Sequence, residues 1–340
     1  MNELTSMTNY IYRSQLASGL SVIRRWSSLP VLQPVEGGIA DVLKELPRFG
    51  RQPFMMTSLY NVNVAANPFL DMVYRVPNRL DEDPVPVGVV SRNYRLVDHH
   101  QVLHTVEEVL EQCKVDMSKL NVVGQWTVHG ERAHFSLILP SGGPFSLSLG
   151  EKDEMRFRIE LLNSVDGSCR LTAATGWLRL VCSNGLIVGK MLTQLRRQHR
   201  QELNLMELRQ ILRQALQSAG EDHNIINKWR RQPVSDEALV RWVDEDVRKD
   251  WGIKAAVRVL AIARSGKDAE PRGDLKGKRP SQIDVNLTDE VPGIRAPVSD
   301  AFGISQVLAW VAGRRADLQE QLEWRSQVRT LVDQLSDRSR

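Results

Sequence analysis

The sequence predicts an α+β protein: an antiparallel β-meander packed with helices, followed by a mostly helical C-terminal region. Three observations lead there. Between about residues 87 and 190, short β-rich runs (VGVVS, NVVGQWTVHG, RAHFSLILP, FSLSLG, MRFRIELLNS, CRLTAATG, LRLVC) alternate with turns bearing Gly, Ser and Asn. One segment among them, DHHQVLHTVEEVLEQCK, instead spaces Val102, Leu103, Val106, Val109 and Leu110 as one face of a helix, with Asp98 as its N-cap. Beyond residue 190 the apolar residues return every three or four positions over long stretches, which is the helical period.

In chain order, residues 1–86 show little periodicity. Prolines at 30, 34, 47, 53, 68, 77, 84 and 86 interrupt them, so an irregular lead-in is expected, with a short helix near 39–46. Residues 87–220 form the α+β core. After Gly189 a single continuous helix is expected, because Met191, Leu195, Leu203, Met206, Leu208, Ile211 and Leu212 line up as an apolar face. Residues 221–264 read as a separate helical segment, with Ser235 capping SDEALVRWVDEDVRK and IKAAVRVLAIA following Gly252. Residues 265–298, which include RGDLKGKRP, are rich in Gly, Pro and charge and predict a flexible linker. Residues 299–340 form the C-terminal helices. No internal repeat is present.

Composition bounds the function. With 340 residues, 42% hydrophobic and 25% charged, the chain can bury a sizeable core. No apolar run approaches the length needed to span a bilayer, and the N-terminal residues lack the charged-then-apolar order of a secretory signal. A cytoplasmic protein without a membrane partner is expected. Cys113, Cys169 and Cys182 are too scattered for a disulfide framework and lack the pairing of a zinc site, so reduced thiols are expected. The net charge of +4 is mild, but it is unevenly placed: KMLTQLRRQHRQELNLMELRQILR, from Lys190 to Arg213, carries five arginines against Glu202 and Glu207.

The motifs are polar turns and a basic stretch. NSVDGS at 163–168 contains Asp-Gly, a turn dipeptide, and offers Asn163, Asp166 and Ser168 as a polar site; Asn184 in VCSNG joins them. One amide and one carboxylate make a thin metal site, and no cofactor is expected. Cys182 beside an apolar run reads as a small buried hydrophobe rather than a nucleophile. His100 and His104 have the spacing of a helical metal pair but no accompanying glutamate of an HExxH motif, so His99, His100 and His104 read as solvated or partly buried helix residues. In the basic stretch, Arg196, Arg197 and Arg200 fall on neighbouring positions of one helical turn, where with Lys190 and His199 they form a surface suited to a phosphate backbone. Nucleotide-binding glycine motifs, the GxSxG elbow and the kinase set are absent.

Five blocks carry a family resemblance: GVVSRNYRLVDHHQVL from Gly88, GQWTVHGERAHFSLILP from Gly124, LLNSVDGSCRL from Leu161, LRLVCSNGLIVG from Leu178, and RRQHR around His199. In these the chain resembles the plasmid- and phage-borne family of unknown function typified by the YfjQ, YafZ and YubP proteins and by the "phage/plasmid-like" proteins. That resemblance implies cargo of a mobile genetic element, near genes of DNA repair, recombination or defence, and implies no mechanism. Where the family commonly has a histidine before the Asp of the turn, Val165 stands here, which moves the turn from catalysis toward architecture.

The expectation that results is a non-enzymatic nucleic-acid-binding accessory protein of a mobile element, with DNA as its partner. The alternatives are a metal-dependent hydrolase or nuclease built on Asp166, Asn163 and His199, and a protein-interaction module in phage–host conflict, self-associating through the C-terminal helices at 301–335.

Overall fold

The computed structural model describes residues 33–57, 64–77, 82–151, 153–180, 184–186, 195–197 and 205–338. Strand β1 (Val35–Gly37) and helix α1 (Ile39–Glu45) come first, α1 at the position expected for a short helix. Strands β2 (Phe49–Thr57), β3 (Val64–Arg75) and β4 (Val85–Ser91) then form an antiparallel sheet in the order β2-β3-β4. This corrects the irregular lead-in. The prolines that hid these strands sit where a sheet tolerates them: Pro53 and Pro86 lie on the two edge strands, and Pro68 lies in the irregular stretch of β3 where the register shifts from Pro53↔Asp71 to Met55↔Ala66.

Helix α2 (His99–Gln112) follows, with the Asp98 side chain accepting from the His100 amide as its N-cap. The main sheet is built from β5 (Asn121–Trp126), β6 (Arg132–Ile138), β7 (Ser146–Gly150), β8 (Asp153–Ser164) and β9 (Leu171–Arg179). β1 extends it at one edge, and β7 pairs with the start of β8. At the other edge two short strands share β9: β10 (Asn184–Leu186) pairs with its Trp177 to Arg179 end, and β11 (Leu195–Arg197) with its Leu171 to Ala173 end. All these pairings are antiparallel, so the α+β meander expected from the sequence is present.

Helix α3 (Leu205–Arg231) is followed by α4 (Asp236–Trp242), which runs through a π-helical stretch at Val243–Val247 into α5 (Arg248–Trp251), and by α6 (Ile253–Ser265). Ser235 caps α4 as expected, its hydroxyl accepting from the Ala238 amide. α3 crosses position 220 without a break, because a glycine inside a helix costs only about 1 kcal/mol relative to alanine and the rest of the helix is well packed; the boundary expected there does not exist. The expected linker is also folded. Strands β12 (Lys267–Pro271) and β13 (Val285–Glu290) pair as a hairpin that seats Ala269, Ile283 and Val291 in the protein interior and joins α6 through Arg258 and Asp268. Few apolar residues suffice because the ion pair and the hairpin do the rest.

Helices α7 (Ala301–Gly313) and α8 (Leu318–Arg338) complete the chain. α7 is buried along almost its whole length. One continuous apolar cluster runs from Ile39 on α1 to Leu335 on α8. Met155, Phe157, Ile159 and Leu161 alternate along β8 as the face turned into that cluster. The opposite face of the same strand meets α8, where Leu162 packs with Leu322 and Glu160 pairs with Arg325. No helix among the described residues is long and apolar enough to cross a membrane.

Candidate functional site

Three of the five sequence blocks converge at one end of the main sheet. The β8–β9 turn (165–170) lies beside the β5–β6 turn (127–131), joined by a hydrogen bond from the Val165 amide to the Glu131 carbonyl at 2.9 Å. The loop after β4 closes the third side: Tyr94 donates to the Ser164 carbonyl at 3.2 Å and its ring stands over Gly167. Gly88 on β4 allows this approach, since a Cβ there would lie 2.6 Å from the Asp166 Cβ. Arg51 of β2 holds the loop, pairing with Asp71 while donating to the carbonyls of Tyr94 (2.5 Å) and Arg92 (2.7 Å).

The turn itself is the Asp-Gly turn expected from the sequence. Gly167 adopts φ +77°, and the Asp166 carboxylate accepts from both the amide (2.9 Å) and the hydroxyl (2.5 Å) of Ser168. Arg132 donates through Nε to that same hydroxyl at 2.6 Å. Ser164 and Cys169 close the turn, the hydroxyl donating to the Cys169 carbonyl and accepting from its amide.

Asn163 is not a surface ligand. It is 0% exposed, and its amide nitrogen donates to the Val97 carbonyl and to His99 Nδ1, each at 2.9 Å. His99 in turn reaches the Gly130 carbonyl through Nε2 at 2.8 Å. A carbonyl only accepts, so Nε2 carries the proton and Nδ1 receives the Asn163 amide: the ring is a neutral strut. This corrects two expectations, that Asn163 is displayed to a ligand and that His99 is a solvated or partly buried helix residue. Val165, where the resembled family commonly has histidine, is fully buried against Phe49, Val73, Val90 and Tyr94.

Electrostatics at the turn follow from burial. The Asp166 carboxyl is pushed above the usual range by burial, with the Ser168 hydrogen bonds and Arg132 opposing. Glu131, which accepts from the Thr127 hydroxyl at 2.6 Å, is raised by burial too, and the nearby Asp166 charge adds to the shift. Burial first, then Asp166, raises the Tyr94 phenol. The Cys169 thiol is pushed up to about 12, chiefly by burial, and is therefore a poor nucleophile. Cys113 and Cys169 are free thiols.

The remaining candidates scatter. Asn184 lies on β10 opposite Arg179, roughly 26 Å along β9 from the turn at 3.3 Å per residue, so it does not join Asn163, Asp166 and Ser168. Arg196 and Arg197 are on strand β11, not on the continuous helix expected after Gly189; the helix starts at Leu205. Lys190, His199 and Arg200 lie outside the described residues, as does Cys182. Arg209 and Arg213, the arginines of α3 from the same basic stretch, bridge to α2 along the surface: Arg209 pairs with Glu108, and Arg213 donates to Gln112 at 2.5 Å.

The strand pairing nevertheless brings the arginine block to the polar turn. Arg197 is opposite Leu171 and Arg196 opposite Thr172, one and two residues beyond Arg170. Arg170 is exposed, and so are Arg92 and Arg95 on the loop that packs against the turn. The end of the sheet thus carries a cationic rim around a buried polar network.

Among the described residues no group of three or more His, Cys, Asp or Glu side chains comes together with the spacing of a metal site. The apolar faces of α7 and α8 are covered within the chain itself, by the common core.

Tyr94, His99, Glu131 and Arg132 were not singled out for this site from the sequence, although they lie inside the blocks that carry the resemblance. The available signal is the coincidence of three such blocks, each containing a turn or loop.

The family model for a domain of unknown function, DUF932, matches residues 86–264. The chain belongs to that family. Its span begins at β4 and ends within α6, so it takes in the three converging turns, β11 and α3, and leaves out β2, β3, the β12–β13 hairpin, α7 and α8. No curated protein matches the chain, and no solved structure does.

Proposed function

We propose that the chain is a non-enzymatic nucleic-acid-binding accessory protein, serving the DNA transactions of a mobile genetic element. The observation that supports the reading most is the pairing of β11 with β9, which carries Arg196 and Arg197 alongside the exposed Arg170 at the polar turn, with Arg92 and Arg95 on the adjoining loop. Guanidinium groups along a sheet edge match the repeat of phosphates on a backbone, and they bind by releasing counterions rather than by reading bases. The polar network beneath them has no need to touch the ligand; its part is to hold two turns and a loop together.

Gel shifts with single- and double-stranded DNA over rising salt test this. Binding should weaken steeply with salt and fall at least about 10-fold in an Arg196→Ala/Arg197→Ala/Arg200→Ala variant. Absence of binding at low salt, or binding indifferent to those three changes, removes the proposal. Cleavage of the probe that requires divalent metal and is lost in Asp166→Ala would replace it with the nuclease reading.

A further inference from the structure

A second cluster of cationic and aromatic side chains lies away from the hairpin tips. A cavity of about 360 Å³ is lined by residues of α5, α6, the β12–β13 hairpin and α8. One wall is a stack: the rings of Trp251 and Trp324 lie 4.6 Å apart at 22°, and the Arg315 guanidinium lies 4.4 Å from the centre of the Trp324 ring. Arg315 is held edge-on by Glu320 through Nε (3.2 Å) and Nη2 (3.0 Å). Its side chain is 39% exposed and lines the cavity.

Arg258 is equally fixed. Its Nε and Nη2 bind the two oxygens of Asp268 at 2.8 and 2.6 Å. Asp268 also accepts from Trp310 Nε1 and from the Ala269 amide, so four donors lock the carboxylate and the guanidinium plane it holds. That geometry commits two of the three guanidinium nitrogens and leaves Nη1 for another acceptor. Lys254 adds an exposed cation at the rim, and Glu270 an exposed carboxylate.

A flat cation stacked on an indole, two further cations lining one space, and the exposed Glu270 beside the Arg258-bound Asp268 define a ligand with three parts. The stack suits a planar base, the cations suit a phosphate, and the carboxylate suits sugar hydroxyls. The volume falls in the range of small-ligand pockets. We propose that this cavity binds a nucleotide, its base against the outer face of Arg315, its phosphate on Arg258 Nη1 and Lys254, and its sugar hydroxyls on Glu270. The site is separate from the arginine strand and does not depend on it.

The occupant is either a free nucleotide or the phosphorylated end of a strand. Calorimetric titration of the full chain with AMP, adenosine, inorganic phosphate and a short 5′-phosphorylated DNA strand separates them. It is done in the Arg196→Ala/Arg197→Ala/Arg200→Ala background so that edge binding is removed. The expected result is saturable binding of AMP, with adenosine and phosphate each about 10-fold weaker or worse, and a further loss of that size in Lys254→Glu, a change at an exposed position that leaves the thermal midpoint unaltered. Preference for the strand over AMP, with the same sensitivity to Lys254→Glu, assigns a strand end and sustains the site. Phosphate matching AMP, no saturation by either nucleotide probe, or binding unchanged in both Lys254→Glu and Arg315→Lys overturns it.

Discussion

The interior and the rim of the same sheet end are built from opposite kinds of residue. Inside, the Asn163 amide nitrogen, His99, Ser164 and Tyr94 bond to one another and to the backbone, while Asn163 Oδ1 is buried without a partner; outside, Arg92, Arg95 and Arg170 are exposed beside the strand that carries Arg196 and Arg197. The polar residues that look most like a catalytic set from the sequence are the ones the fold has consumed. Arg92, Arg95 and Arg170, chemically plainer, are left exposed. A motif dense in polar side chains can therefore mark a hub that aligns turns, with exposed charge on its neighbours.

The comparison can be broken from either side. Replacing Asn163 with Leu strands the Val97 carbonyl and His99 Nδ1 in the interior, and the expected loss is about 3 kcal/mol of unfolding free energy, read by urea denaturation. DNA affinity per folded molecule should stay the same. The reverse pattern, full stability with lost affinity, would place Asn163 in the binding surface and collapse the distinction.

A smaller effect separates the paired carboxyl of β8 from the two carboxyls of the adjoining turns. Glu160, though fully buried, is held well below the usual range by Arg158, then by His134 and Arg325, whereas burial holds Asp166 and Glu131 above it. A group raised in the folded state takes up a proton before the unfolded chain does, so its contribution to stability grows as pH falls through the raised value. Asp166→Asn combined with Glu131→Gln should accordingly exceed the wild type by about 1 kcal/mol at pH 8, and the gap should close by about pH 4. Glu160→Gln has the opposite sign: it loses stability at neutral pH, and the deficit shrinks only as acid protonates the depressed wild-type carboxyl. Equal pH profiles for the two variants would mean that the turn carboxyls are not distinct from the paired one.

The smallest effect belongs to Arg209. Its pair with Glu108 is partly exposed, so Arg209→Ala should cost about 0.5 kcal/mol or less and leave DNA binding untouched. A drop in affinity would return α3 to the binding surface.

How far the sequence reaches can be seen in particular elements. β8, β9 and the Asp166-Gly167 turn are legible because alternation and turn chemistry are local signals, and Asp98 and Ser235 announce their helices for the same reason. β11 is not legible. Three residues carry no period, Leu195 continues an apolar spacing that suits a helix, and only pairing with the edge of β9, set by contacts distant in sequence, makes it a strand. β2 and β3 were hidden by prolines that an edge or a register shift accommodates. In the site, the turn residues were visible but their burial was not, because exposure depends on a loop and a second turn brought from about 35 and 70 residues away. The C-terminal cavity left no signal, since Arg258, Arg315 and Trp324 meet only through packing.

The most direct test of the central claim is the salt dependence of DNA affinity, measured by fluorescence anisotropy with a labelled single strand, for the wild type and the Arg196→Ala/Arg197→Ala/Arg200→Ala variant. If these arginines hold phosphates, the slope of log affinity against log salt becomes shallower by about 2 in the variant, while its unfolding curve overlays that of the wild type. Identical slopes in the two proteins would contradict the account.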